Sequence, residues 1–135
     1  MRRAVLDSGV LVSALISPDG TPAKLVDEVW TGELELIISP QLLAELEGVL
    51  MRQKFRRYFD LASVRHFIDL LRHQATVAPD PDEPGPLRSV DPKDDYLIAL
   101  AFSQSVRLVS GDSHLLDLAD RAPICSPADL LGTPA

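Results

Sequence analysis

The chain has only one cysteine and three histidines, and aromatic residues make up 5% of its 135 positions. The lone Cys125 cannot form an internal disulfide, which fits a reducing cytoplasm, and its apolar neighbours in PICS predict a core position. The histidines His66, His73 and His114 lack the spacing of metal ligands. A zinc site of the usual histidine and cysteine type is therefore not expected.

Long apolar runs and an excess of positive charge are also missing. Only the short run AVL separates Arg3 from Asp7, too little for a signal peptide, and no stretch has the length of a membrane span. We therefore expect a cytoplasmic protein without a membrane partner. Lysine and arginine total 13 against 20 acidic residues, which gives a net charge of −7. This charge argues against nucleic-acid binding over a broad basic surface and is compatible with a local basic patch.

What is present is an ordinary globular composition, 46% hydrophobic and 24% charged, which predicts a single domain spanning residues 1–135. Short β-branched or apolar runs alternate with helical patterns, so the predicted class is α/β with a parallel sheet covered on both faces. The predicted strands are RAVLD, ELIIS, residues 75–78, VRLVS and PICS. The proline-rich segment PDPDEPGPLRS before the last third of the chain is predicted to be an exposed loop.

Helix starts carry a repeated signature, a capping residue followed by proline. Thr21 precedes Pro22, Ser39 precedes Pro40, and Asp91 precedes Pro92; Asp60 is a further predicted cap. After Asp91, the run YLIALAF is apolar nearly all round, which predicts a buried helix. Asp91 itself is most simply a helix cap, and Asp94 lies where a reciprocal cap would stand.

Acidic residues occupy the positions where an open α/β sheet places its functional groups, beyond the carboxyl ends of the strands. Asp7 ends the first strand, and Asp112 follows VRLVS by two residues. Asp95 shares a helical stripe with the apolar residues Ile98, Ala99 and Phe102, and is expected to point inward. Glu45 and Glu47 flank the apolar stripe of their helix at similar angles, so periodicity does not choose between them.

A cluster of such acids needs protons or cations. Two ionised carboxylates about 4 Å apart repel by roughly 4 kcal/mol at an effective dielectric near 20. Oxygen ligands without histidine or cysteine suit Mg²⁺ or Mn²⁺.

The segments VLDS, LLAELEGVL, DPKDDYLIALA and LVSGD, in this order, resemble the PIN-domain ribonucleases, and most closely the branch of VapC-type toxins. The resemblance extends from Val5 to about Leu131. It selects Glu45 over Glu47 and implies auxiliary roles for Asp94, Ser8 and Ser110. One departure is Gly9, where this branch often has asparagine. The metal-binding and catalytic acids that the resemblance implies are Asp7, Glu45, Asp95 and Asp112.

The same resemblance implies a three-layer α/β/α sandwich whose five-stranded parallel sheet has the order 3-2-1-4-5. It implies hydrolysis of RNA by water activated by one or two Mg²⁺ or Mn²⁺ ions, with 5′-phosphate and 3′-hydroxyl products. An antitoxin protein and a homodimer are the implied partners. The alternative is a catalytically silent PIN-like module that binds protein or RNA, and an acidic receiver-type domain fits less well because PICSPADLL contains no lysine.

The segment MRQKFRRYF interleaves cations with aromatic residues, a pattern that can hold an RNA backbone and stack bases. The alternative interpretation is a solvated face whose aromatic rings turn to the core. The candidate RNA contacts are Arg52, Lys54, Arg56 and Arg57.

Overall fold

The computed structural model describes residues 2–133, and a five-stranded parallel sheet forms their centre. The strands are β1 (Arg2–Leu6), β2 (Leu34–Ile38), β3 (Thr76–Val77), β4 (Arg107–Val109) and β5 (Ile124–Cys125). The helices are α1 (Ser8–Ile16), α2 (Thr21–Thr31), α3 (Pro40–Leu50), α4 (Leu61–Gln74), α5 (Asp95–Gln104), α6 (Ser113–Leu116) and α7 (Pro127–Leu131). The strand order is β3-β2-β1-β4-β5 with helices on both faces, so the predicted α/β/α sandwich is confirmed.

The central strand β1 is buried because its last three residues are small or branched apolar side chains. Ala4, Val5 and Leu6 are 0% exposed. The strand pairs in parallel with β2 on one side and with β4 on the other, where Leu6 lies opposite Val109. A strand covered by sheet neighbours and by helices on both faces needs a continuous apolar run rather than an alternating one.

Local capping chemistry sets most helix starts. The Ser39 hydroxyl accepts a hydrogen bond from the Leu42 amide at 3.2 Å, and an oxygen of Asp60 accepts from the Ser63 amide at 2.8 Å, as predicted. The prediction that Thr21 caps α2 is wrong. Thr21 is the first helical residue and Gly20 holds the capping position, so no side chain caps this helix, because glycine has none.

Helix α5 is buried on most sides, as its composition predicts, with Leu97, Ile98 and Leu100 at most 2% exposed. Its start differs from the expected geometry. Asp91 caps a single 3-10 turn, Pro92–Asp94, by accepting from the Lys93 amide at 3.0 Å, and the α-helix begins only at Asp95. This turn determines which acid faces which side of the molecule.

The loop of residues 79–90, which precedes that turn, is attached to α5 at two points. A Cβ atom added at Gly85 would lie 3.0 Å from the Cα atom of Ala99, so only glycine allows the loop to approach the helix this closely. Asp95 makes the second attachment, through Ser89. The segment is thus exposed, as predicted, but held in place.

Within residues 2–133, no helix combines the length and the apolar character needed to cross a membrane.

Candidate active site

Two carboxylates meet where β1 and β4 end side by side. The Asp7 amide donates a 3.0 Å hydrogen bond to the Val109 carbonyl, which places Asp7 at the carboxyl edge of both strands. Asp112 follows β4 by three residues. Both acids line one cavity of about 410 Å³, together with Ser8, Gly9, Ser13 and Asp94. The prediction that Asp7 and Asp112 share one edge of the sheet is therefore confirmed by the geometry.

Asp7 is 8% exposed, one of three buried polar residues in the described chain. Its Oδ1 accepts a 2.8 Å hydrogen bond from the Val10 amide and so caps α1. Burial raises the pKa of Asp7, hydrogen bonds from Ser110 and Val10 oppose the rise, and the negative charges of Asp112 and Glu45 add to it. This carboxylate lies in a place that disfavours its own charge unless a cation approaches.

Ser110 connects the two strand-end acids. It is 0% exposed, its hydroxyl accepts a 3.0 Å hydrogen bond from the Asp112 amide, and its contact with Asp7 lowers the pKa of that carboxyl group. Oδ1 of Asp112 accepts from the His114 amide at 2.9 Å and caps the short helix α6. Ser110 therefore lies between both acids, as its predicted auxiliary role requires, and Ser8 lines the same cavity.

Glu45 reaches toward this group from α3. The phenolic hydroxyl of Tyr96 donates a 2.8 Å hydrogen bond to its Oε2, and burial followed by that contact raises the pKa of Tyr96. Glu47 lines a separate cavity with Arg72 and Val77. The structure thus places Glu45, and not Glu47, beside the other acids, although the sequence pattern alone left the two equal.

The 3-10 turn before α5 contributes Asp94 to the cavity, where Asp95 was expected. Burial, followed by the charges of Asp91, Asp112, Asp7 and Glu45, raises the pKa of Asp94 to about 6. Asp95 faces the other way: its Oδ1 accepts from the Ser89 amide at 2.6 Å, and its Oδ2 lies 3.5 Å from the Arg88 guanidinium. Asp94 ends the 3-10 turn and Asp95 begins α5, and the two neighbouring side chains point to different sides of the chain.

The sequence carries no signal that separates the two acids. Apolar residues follow both at helical spacing: Leu97, Ile98 and Ala101 after Asp94, and Ile98, Ala99 and Phe102 after Asp95. Only the structure distinguishes the two sets, because the first is fully buried whereas Phe102 is partly buried.

The donor set of this cavity fits a hard divalent cation by its chemistry. All candidate ligands are carboxylates, and the pKa values of Asp7 and Asp94 are raised partly by the neighbouring negative charges that a cation would neutralise. In residues 2–133, however, no three acidic, histidine or cysteine side chains form a ready-made metal cage.

The basic segment after α3 lies outside the acidic cavity, and its four cations differ in setting. Arg56 is partly buried and donates through Nη2 to the Leu50 carbonyl at the end of α3. It therefore stabilises the turn, and the expectation that it contacts RNA does not fit its position. Arg52, Lys54 and Arg57 are exposed.

The chain is similar to known proteins in sequence and in fold. A family model described as PIN domain matches residues 3–114. The protein MJ1680 of Methanocaldococcus jannaschii is 28% identical over 120 residues, which cover 87% of this chain and 76% of that protein.

Two solved structures share the fold. PAE2754 from Pyrobaculum aerophilum superimposes with a TM-score of 0.62 at 20% sequence identity. The match covers 97% of this chain and 87% of the PAE2754 chain. VapBC2 from Rickettsia felis, solved with a DNA fragment from its promoter, gives a TM-score of 0.60 at 14% identity and covers 92% and 98% of the two chains.

Proposed function

Because this chain belongs to the PIN domain family, we propose that it is a metal-dependent endoribonuclease that hydrolyses RNA phosphodiester bonds. The proposal is based on the cavity that Asp7, Asp94 and Asp112 share. Burial, together with negative charge on these acids and on Glu45, raises the pKa values of Asp7 and Asp94. Residues 1–135 would act as one nuclease domain. Asp94 replaces Asp95 in the proposed set of metal-binding acids.

The proposed cofactor is Mg²⁺ or Mn²⁺, as one or two ions held by carboxylate oxygens of Asp7, Asp94 and Asp112, with Glu45 at the edge of the group. A bound divalent ion would lower the pKa of a water molecule and stabilise negative charge on the phosphoryl oxygens. The reaction attaches a water oxygen to phosphorus and breaks the bond to O3′, which leaves a 5′-phosphate and a 3′-hydroxyl. No side-chain nucleophile is needed.

The surrounding residues hold the acids in position. Ser110 lies between Asp7 and Asp112, and Tyr96 fixes one oxygen of Glu45. The Oδ1 atoms of Asp7 and Asp112 accept backbone hydrogen bonds, which limits the rotation of both carboxylates. Such restraint lowers the reorganisation required when substrate and cation bind.

The biological role that we propose is the toxin of a toxin–antitoxin pair in the cytoplasm. The similarity of fold to VapBC2 of Rickettsia felis supports an antitoxin protein as partner. We further propose a homodimer. Co-expression with the product of a small neighbouring reading frame, followed by size-exclusion chromatography with light scattering, tests both assemblies.

A catalytically silent binding module is the second candidate, because no three ligand side chains among residues 2–133 stand ready around a cation. An RNA cleavage assay distinguishes the binding module from the ribonuclease. The assay incubates a 5′-labelled single-stranded RNA with the wild type and with Asp94→Asn, in Mg²⁺, Mn²⁺ or EDTA. We expect cleavage by the wild type only with metal, and at least ~100-fold slower cleavage by the variant.

Asp82→Asn is the matched control, since Asp82 is an exposed residue of the 79–90 loop. It should cleave like the wild type. Sensitivity of the products to an exonuclease that requires a 5′-phosphate checks the chemistry. Cleavage that persists in EDTA or in Asp94→Asn would contradict the mechanism, and a wild type inactive on total RNA would favour the binding module.

A further inference from the structure

The turn after α3 presents a patch of free positive charge on an otherwise acidic protein. We define the basic patch as Arg52, Lys54, Arg57 and Tyr58. All four residues are exposed, Tyr58 by 46%. Within residues 2–133, none of its three cations lies within 4.0 Å of a carboxylate oxygen, whereas Arg2, Arg3, Arg72, Arg88 and Arg121 each do. No ion pair within residues 2–133 therefore neutralises the charge of the basic patch.

The surrounding residues hold the basic patch in a fixed shape. Phe55 is 9% exposed and stacks on Phe59, with ring centroids 5.9 Å apart and planes 12° from parallel. The aromatic residues of the segment thus divide between core and surface. The Arg57 guanidinium lies 4.8 Å from the Tyr58 ring centroid, and its Nη2 donates a 2.8 Å hydrogen bond to the Tyr58 hydroxyl. Arg57 therefore holds the exposed Tyr58 ring, which we call the Tyr58 platform.

A cavity of about 620 Å³ lies against the basic patch, and helix α1 connects it to the acidic cavity. Gly9 and Ser13 line the acidic cavity, and Ile16 lines the one at the basic patch. Positions four and then three apart lie on the same face of a helix. From Gly9 to Ile16 the helix rises about 10 Å, at 1.5 Å per residue. The two cavities are thus neighbours along one face of α1.

We propose that the basic patch binds the backbone of single-stranded RNA on one side of the bond that is cut, with a base against the Tyr58 platform. This inference rests on the proposed ribonuclease function. The separation along α1 corresponds to roughly three nucleotides at the ~3.4 Å rise of a stacked strand. Cations that follow phosphates, combined with an exposed aromatic ring for a base, are the usual elements of single-strand binding. A duplex hides its base faces, so it lacks the second contact.

The test measures RNA binding without cleavage. Fluorescence anisotropy follows a 5′-labelled oligouridine of about twelve nucleotides, within the usual range of single-strand sites, in metal-free buffer. Relative to wild type, Lys54→Gln/Arg57→Gln should weaken binding about 10-fold or more at low salt. It should also reduce the slope of log affinity against log salt by about 1.4, at ~0.7 per phosphate contact.

The control Arg72→Gln/Arg121→Gln removes the same charge from side chains that are 54% and 60% exposed elsewhere on the surface. Its affinity should stay within about 2-fold of wild type, because neither arginine belongs to the basic patch. The variant should also stay folded, because surface ion pairs contribute little to stability. Tyr58→Ala should weaken binding about 5-fold or more, and Tyr58→Phe should retain it, because a phenyl ring still stacks.

Equal loss of affinity in the control pair, wild-type affinity in the patch variant, or equal competition by duplex RNA would overturn the proposal. So would patch variants that lose binding to polyglutamate but not to RNA, because that result assigns the patch to an acidic protein. Binding that depends on the patch in a wild type that cuts no RNA would remove the hydrolysis mechanism and leave the RNA site. Cleavage with wild-type affinity in the patch variant would do the reverse.

Discussion

Tyr96 of α5 donates a 2.8 Å hydrogen bond to Oε2 of Glu45 in α3, and the two residues are separated by fifty-one positions in sequence. Glu45 is the one acidic residue of the proposed site that comes from the middle of a helix. A glutamate has three rotatable bonds, so without a partner it would sample many positions.

Tyr96→Phe removes the hydroxyl and keeps the ring. We expect about 1 kcal/mol lower stability, the usual net value of one hydrogen bond, and several-fold slower RNA cleavage, because Glu45 is no longer held. Urea denaturation and cleavage kinetics measure the two effects. Asp82→Asn, an exposed substitution in the 79–90 loop, serves as control and should change neither the unfolding free energy by more than a few tenths of a kcal/mol nor the cleavage rate. Full activity in Tyr96→Phe would show that Glu45 needs no positioning.

Substitutions of the neighbouring acids Asp94 and Asp95 should have different effects on metal binding. Because only the folded protein offers the site, Mn²⁺ at 100 times its Kd should stabilise the wild type by about 2.7 kcal/mol. Asp94→Asn should lose most of this stabilisation. Asp95→Asn should retain it and should instead loosen the 79–90 loop, since Asp95 accepts from Ser89. Thermal denaturation with and without Mn²⁺ and limited proteolysis of the loop provide the readings, and the opposite assignment would restore Asp95 as the ligand.

The raised pKa of Asp94 predicts how stability varies with pH in metal-free buffer. The folded-state pKa of about 6 exceeds the ordinary aspartate pKa of 3.8, so the folded protein binds more protons between these values. Stability should therefore fall as pH rises from about 4 to 6 and level off above. The raised pKa of Asp7 acts in the same direction.

Asp94→Asn tests this linkage, because asparagine does not titrate. The unfolding free energies of wild type and variant should be closest below pH 4 and should diverge in favour of the variant up to pH 6. Urea denaturation at intervals across this range measures the divergence. Parallel curves for the two proteins would mean that Asp94 titrates normally.

Gly85→Ala and Gly48→Ala should have opposite effects. At Gly85 a Cβ atom would meet the Cα of Ala99 at 3.0 Å, so we expect a loss of about 1–3 kcal/mol, as for other overpacked contacts. At Gly48, in the exposed middle of α3, a Cβ meets nothing within 4 Å. There alanine should stabilise by about 0.5–1 kcal/mol through helix propensity. Urea denaturation of both variants decides the signs.

Much of the fold could be predicted because each strand and most helix starts carry their own local signal. The last three residues of β1 (AVL) and of β2 (LII) are continuously apolar, and Ser39 and Asp60 cap the helices that they were predicted to cap. The start of α2 was misplaced because Thr21 and Gly20 are both acceptable caps, and the local sequence does not distinguish them.

The site was harder to predict, because it depends on a single-residue shift and on a contact across the fold. The 3-10 turn before α5 rotates Asp94 into the cavity and Asp95 toward Ser89. The choice of Glu45 required the position of Tyr96, which no local pattern supplies. Strand-end acids such as Asp7 need neither, because the direction of a parallel strand already places them.

Under the proposed function, the cap that Asp7 places on α1 makes a catalytically inactive variant available. Asparagine occupies that position of a helix about as well as aspartate, so Asp7→Asn keeps the bond to Val10 and drops the negative charge. A chain that acts as a toxin could then be produced in quantity with its fold intact and its activity removed. That preparation would allow crystals to be grown with intact RNA bound.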